Sequence, residues 1–72
     1  MPLVMLLKIR PQVGDLIEAN DTIFEYISYG YCVESGKEWF TVRYFDDDNR
    51  IYDYDYWYCE EYDLEMSIIS RG

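Results

Sequence analysis

Apolar and aromatic residues alternate with polar ones at a period of two along most of this chain, the period of a strand with one face buried. Residues 4–9 read as a first strand, ended by Arg10-Pro11 because proline cannot donate to a ladder. Val13-Gly14-Asp15 reads as a turn into a strand through Leu16-Ile17-Glu18-Ala19, which Asn20-Asp21 breaks. Ile23, Phe24, Tyr26 and Ile27 fit a strand or one turn of helix, so 22–28 is expected to be a loop with a partly buried aromatic end. Residues 29–34 form the next strand, and Ser35-Gly36-Lys37 a hairpin turn. The clearest alternation lies in 38–45, with Phe40, Val42 and Tyr44 on one face and Thr41 and Arg43 on the other. Asp46-Asp47-Asp48-Asn49 then suits a tight turn, since these short polar side chains bond nearby backbone and tolerate left-handed conformations. Residues 50–56 run back with Tyr52, Tyr54 and Tyr56 facing one way and Asp53 and Asp55 the other. Glu60-Glu61-Tyr62-Asp63 suits a single 3₁₀ turn, and 64–69 a short closing strand.

Five or six short strands without a long helix predict an all-β fold, a small barrel or sandwich. Nothing divides the chain, so 1–72 is read as one domain, with 1–11 an N-terminal strand or arm and 13–69 the barrel. A chain this short lies near the lower limit for folding on its own core, and its 19% aromatic content is what makes such a core attainable.

Charge changes the picture next. Fifteen acidic residues against six basic ones give a formal net charge of −9. Such a surface repels nucleic-acid phosphates and anionic membranes. It serves solubility, or it selects a basic protein partner, including one whose own ligand is nucleic acid. Cys32 and Cys59 form no CxxC pair and no signal peptide is visible, so both read as reduced thiols of a cytoplasmic protein, Cys32 in the core. Whether they ever pair is left open. The apolar run Met1-Pro2-Leu3-Val4-Met5-Leu6-Leu7 is too short to span a membrane.

The order "VGDLIEA", "YGYCVES", "EWFTVRYFDDDNRIYDY", "YCEEYDLEM" resembles the Tudor-like and SH3-like small barrels over roughly 13–66. It is also similar to short uncharacterised proteins of tailed bacteriophages, including those of cyanobacterial hosts. The resemblance implies an SH3-like barrel of five to six strands with a 3₁₀ turn before the last one. It also implies, as in Tudor-like domains, an aromatic cage for a methylated lysine or arginine. The rings placed for that cage are Tyr29, Tyr31, Trp39 and Phe45, with Tyr44, Tyr52 and Asp53 beside them. The 1–11 extension and the aromatic-rich 22–29 stretch depart from the family pattern.

Catalytic chemistry is not expected. The chain has no His, neither Cys has an activating neighbour, and there is no Gly-rich phosphate loop. No cofactor or metal site is expected either. Asp46, Asp47, Asp48, Asn49 and Asp53 offer hard oxygen ligands, but Arg50 and Ile51 stand where an EF-hand loop needs an oxygen ligand and a glycine. Between Asp46 and Glu65 there are nine acidic residues and one basic one, Arg50. So small a core cannot bury Tyr54, Tyr56, Trp57 and Tyr58 together, and exposed rings rimmed by carboxylates suit a protein-binding surface. The expected contact residues are Tyr44, Asp46, Asp47, Asp48, Tyr52, Asp53, Tyr54, Asp55, Tyr56, Trp57, Tyr58, Glu60, Glu61 and Asp63.

The expected function is a non-enzymatic protein-interaction module of phage-accessory type, acting through that acidic, tyrosine-rich face. Three alternatives stand beside it: an acidic DNA mimic that inhibits a host nucleic-acid-binding protein, an aromatic-cage peptide reader, and a structural subunit of a homo-oligomer.

Overall fold

Short runs of β-branched and aromatic residues, punctuated by Asp, Asn and Gly, leave the chain little choice but strands joined by tight turns. In the computed structural model, which describes residues 5–72, the strands are β1 (Met5–Leu6), β2 (Leu16–Asp21), β3 (Tyr26–Ser35), β4 (Trp39–Phe45), β5 (Ile51–Trp57), β6 (Glu61–Tyr62) and β7 (Leu64–Ser70). The fold is all-β. Among the described residues no helix is long and apolar enough to cross a membrane.

Five strands form one antiparallel sheet in the order β5-β4-β3-β2-β7, and β1 pairs with β6 in a separate two-stranded ladder. The inward face carries Ile17 and Ala19 of β2, Cys32 of β3, Phe40, Val42 and Tyr44 of β4, and Tyr56 of β5, all buried. Leu64 and Met66 of β7 pack on the same cluster, so the sheet curls until its two edge strands share one core. It is a small barrel-like sheet that does not close: β5 and β7 are not joined to each other.

Two bulges accommodate the curl, one in β3 between Cys32 and Glu34 and one in β7 opposite Leu16–Ile17. Gly30 allows the closest approach. A Cβ there would stand 2.6 Å from the Arg43 carbonyl oxygen, 2.7 Å from Val42 Cγ1 and 2.9 Å from Tyr44 Cδ1.

The Val-Gly-Asp start ties the chain to its own end. Gly14 sits at φ 96°, a left-handed conformation that glycine adopts without strain. This lets Asp15 turn inward, where its buried carboxylate accepts the Gln12 N–H at 2.9 Å and the Gly72 N–H at 3.3 Å. Arg71 lies 3.4 Å from the same carboxylate. These partners offset the cost of burying a charge.

Several elements differ from the sequence reading. Of 4–9, only Met5–Leu6 is strand, and Val4 lies outside the described residues. The rest of the arm packs as irregular chain: Leu7 and Pro11 are buried, Pro11 accepts the Ser35 hydroxyl at 2.7 Å, and Arg10 lies over Tyr58. The 22–28 loop contracts to a four-residue turn, because Asp21 stays paired with Tyr26 and its Oδ1 accepts the N–H of Ile23 and Phe24. Asp21 caps the turn instead of ending the pairing early. In place of a 3₁₀ turn at 60–63, the chain turns at 57–60, where the Glu60 N–H reaches the Trp57 carbonyl, and then forms β6.

Replacing Gly30 by Ala should destabilise the fold by about 1–3 kcal/mol, since the new methyl meets backbone and core that cannot yield cheaply. Urea unfolding monitored by tryptophan fluorescence measures this; an unchanged midpoint would show that β3 and β4 can spread without penalty.

Candidate functional site

The β4–β5 ladder sets Phe40 against Tyr56, Val42 against Tyr54 and Tyr44 against Tyr52. Phe40, at one end of this row, is covered: its ring packs 5.4 Å from those of Tyr56 and Tyr58, and Arg10 lies 4.4 Å above Tyr58. Among the described residues the Tyr44 end is not covered. There the seam of the unclosed sheet opens into a cleft of about 360 Å³. Tyr44, Tyr52, Tyr54 and Tyr56 form one side of it, Tyr62, Asp63 and Leu64 a second, and Ala19, Asp21, Ile23, Tyr26 and Ser28 the third.

Six tyrosines thus meet in one concavity, in two environments. Tyr44 and Tyr56 are buried, and their hydroxyls bond to each other at 2.7 Å, so neither is left unsatisfied. Burial pushes the Tyr44 hydroxyl up to about 12. The same cause, reinforced by Tyr44 itself, pushes Tyr56 higher still. Tyr26, Tyr52 and Tyr54 stand exposed around them, with Tyr54 at 54%. Tyr44 and Tyr52 lie 5.5 Å apart, Tyr54 and Tyr56 5.1 Å, and Tyr62 meets Tyr56 edge-on at 5.4 Å. Such rings present negative faces to whatever enters.

Two carboxylates complete the lining. Asp21 spends one oxygen on its turn. Oδ1 of Asp63 is buried with no hydrogen-bond partner, the one such side-chain atom among the described residues. Buried oxygens are ordinarily bonded, and this one stands out for lacking a partner.

Of the residues expected from sequence, Tyr44, Tyr52, Tyr54, Tyr56 and Asp63 gather in the cleft. Asp53, Asp55 and Trp57 lie on the opposite face of β5, because side chains alternate along a strand. There Arg43 bonds Asp53 at 2.8 and 3.1 Å and holds its carboxyl below the usual range, while Thr41 donates to Asp55 at 2.6 Å. Asp46, Asp47 and Asp48 occupy the β4–β5 turn, where Asp46 Oδ1 accepts the N–H of Asp48 and Arg50. Tyr58 packs under Arg10, and Glu60 and Glu61 follow the other end of β5. Among the described residues no three His, Cys, Asp or Glu side chains converge to hold a metal ion.

The rings expected to form a cage do not converge. Tyr29, Tyr31 and Phe45 point outward, Tyr31 meeting Phe45 edge-on at 6.2 Å, and Trp39 pairs with Trp57 at 6.1 Å. The parity of β3 and β4 puts Tyr29, Tyr31 and Phe45 on the convex side, whereas Tyr26, Ser28, Gly30 and Tyr44 face in. Tyr26, Tyr62 and Asp21 were not expected at the site. Extending the even-numbered alternation of β3 back through Ser28 to Tyr26 would have found the first of these. Both cysteines are free; Cys32 is buried, which pushes its thiol up, and Cys59 is exposed.

No family model, no curated protein and no solved structure matches the chain.

The raised tyrosines predict alkaline sensitivity. Both hydroxyls ionise later in the folded than in the unfolded chain. The stability they contribute is therefore intact below the ordinary tyrosine value of 10.0 and falls as pH rises through about 12. Tyr44 alone should account for roughly 2–3 kcal/mol across that window. Denaturant midpoints measured from pH 9 to 12 (~) should fall less steeply for Tyr44→Phe/Tyr56→Phe, which removes both partners of the bond together; parallel curves would refute the assignment.

Proposed function

We propose that this protein is a non-catalytic interaction module that takes a cationic segment of a partner protein into the tyrosine-lined cleft. One observation carries the reading: exposed tyrosine faces and an unsatisfied, buried Asp63 oxygen line the same opening on a chain of net charge −9. A lysine or arginine head group meets both demands, attracted to the rings and donating to the carboxylate. Arg10 over Tyr58 at 4.4 Å shows this chain already using that contact internally.

The acidic residues at both ends of β5, Asp46 to Asp48 and Glu60 to Glu61, supply the long-range attraction that steers a basic partner. The chain's own charge disfavours nucleic acid as the direct ligand, so the partner is a basic protein, a class that includes nucleic-acid-binding proteins. A phosphate-like array on the outer face is less favoured, because Arg43 and Thr41 already engage Asp53 and Asp55. The absence of histidine and the buried Cys32 support a binding rather than a catalytic role. Resemblance to short tailed-phage proteins supports reading the chain as an accessory protein with a host-cell partner.

Titration calorimetry with a lysine-rich peptide should show binding that weakens as salt rises from about 0.05 to 0.5 M. Tyr54→Ala, at an exposed position, should weaken it by roughly 3- to 10-fold, and Asp63→Asn should weaken it as well. Binding indifferent to salt and to both substitutions would sink the reading.

A further inference from the structure

The backbone at the mouth of the cleft is as informative as its side chains. The Asp46 N–H bonds the Arg50 carbonyl and the Tyr58 N–H bonds the Glu38 carbonyl, one at each end of the β4–β5 ladder. In an antiparallel pair, hydrogen-bonded and non-bonded positions alternate. The bonded positions of β5 are therefore Tyr52, Tyr54 and Tyr56, and the N–H and C=O groups of Ile51, Asp53, Asp55 and Trp57 point away from β4, along the seam. The Trp57 N–H is taken by the Tyr62 hydroxyl at 3.0 Å, which closes the seam at that end. Ile51, Asp53 and Asp55 face no partner strand among the described residues.

We infer that the partner segment binds as an added strand along β5, completing the barrel. This rests on the reading above and says in what conformation the cationic segment is held. An extended chain of about five residues spans Ile51 to Asp55, roughly 13 Å. Its alternate side chains enter the cleft over Tyr52 and Tyr54, while those between lie on the outer face beside Asp53 and Asp55. The inner face selects positive charge by its ring faces; on the outer face Arg43 already holds Asp53, and Asp55, which Thr41 bonds without cancelling its charge, is the carboxylate left to attract a cation. A second copy of this chain is a poor occupant. Antiparallel pairing of β5 with itself about Tyr54 sets Asp53 opposite Asp55 of the copy, twice, and like charges directly opposed are destabilising. A basic strand meets the opposite sign at those positions. The fit is to an extended Lys/Arg-bearing segment, not to a helix, whose backbone offers nothing to the edge.

The test uses the full chain, ¹⁵N-labelled, at about 50 mM salt, where surface charge is weakly screened. The probes are acetyl-Lys-Val-Lys-Val-Lys-amide and two analogues, one N-methylated at the lysines and one at the valines. Strand addition predicts that the Ile51, Asp53 and Asp55 amides shift and exchange about tenfold more slowly with the parent peptide, while Tyr52 and Tyr54 amides, already bonded to β4, change less. It also predicts that one analogue loses affinity by about tenfold or more while the other binds as the parent does. If all three peptides bind alike and shifts are confined to the tyrosine rings, strand addition is overturned and the cation cleft stands. If none binds, both readings fall. Protection of the same three amides that grows with protein concentration alone, with dimers in sedimentation, would overturn the choice of occupant.

Discussion

The ladder between β4 and β5 is the interaction on which the rest of this molecule depends. Its register stacks Phe40, Val42 and Tyr44 against Tyr56, Tyr54 and Tyr52, so Phe40, Val42, Tyr44 and Tyr56 are buried together on the inward face while Tyr52 and Tyr54 continue the row into the open. One step of slippage would turn Asp53 and Asp55 inward and Tyr52 and Tyr54 outward. The Asp46 turn at one end and the Tyr58–Glu38 bond at the other hold that step in place. The same register determines which backbone groups of β5 look into the open seam.

The sheet curls, but among the described residues its β5 edge pairs with no further strand. The N-terminal arm covers the Phe40 end, where Arg10, Pro11 and Tyr58 meet, and among the described residues nothing comparable covers the Tyr44 end. The cleft therefore follows from the fold. At its floor the buried Tyr44 and Tyr56 hydroxyls satisfy each other, and its walls are exposed rings. A buried polar pair at the base of an open aromatic cavity allows the core to reach the cavity without leaving an orphaned group.

Charge then decides what can approach. With −9 on 72 residues, and carboxylates at both ends of β5, the field at the seam is negative well before contact. Arg43 tempers it on the outer face by holding Asp53, whereas Asp63 on the inner side keeps an oxygen with no partner. The outer side of β5 thus has Asp53 held by Arg43, whereas the cleft side carries ring faces with Asp63 opposite them, between β6 and β7.

The strand content, the two hairpin turns around β4, the inward set Phe40–Val42–Tyr44 and the Tyr52–Tyr54–Tyr56 row were all legible from the chain, because each depends on a period of two and on local turn chemistry. Local signals failed where a contact distant in sequence took over. Asp21 reads as a strand breaker but stays in the ladder opposite Leu64 of β7, and Glu61–Tyr62 forms β6 because Met5 and Leu6 pair with it. Alternation names the two faces of a strand but not which faces meet across a curled sheet. That is why Tyr26, Tyr62 and Asp63 join the β5 tyrosines while Tyr29, Tyr31 and Phe45 turn to the convex side. The sequence by itself determined an all-β, acidic, tyrosine-rich chain. Only the tertiary structure decided that six of its tyrosines share one opening, because closure of the sheet is a property of where its edges end up.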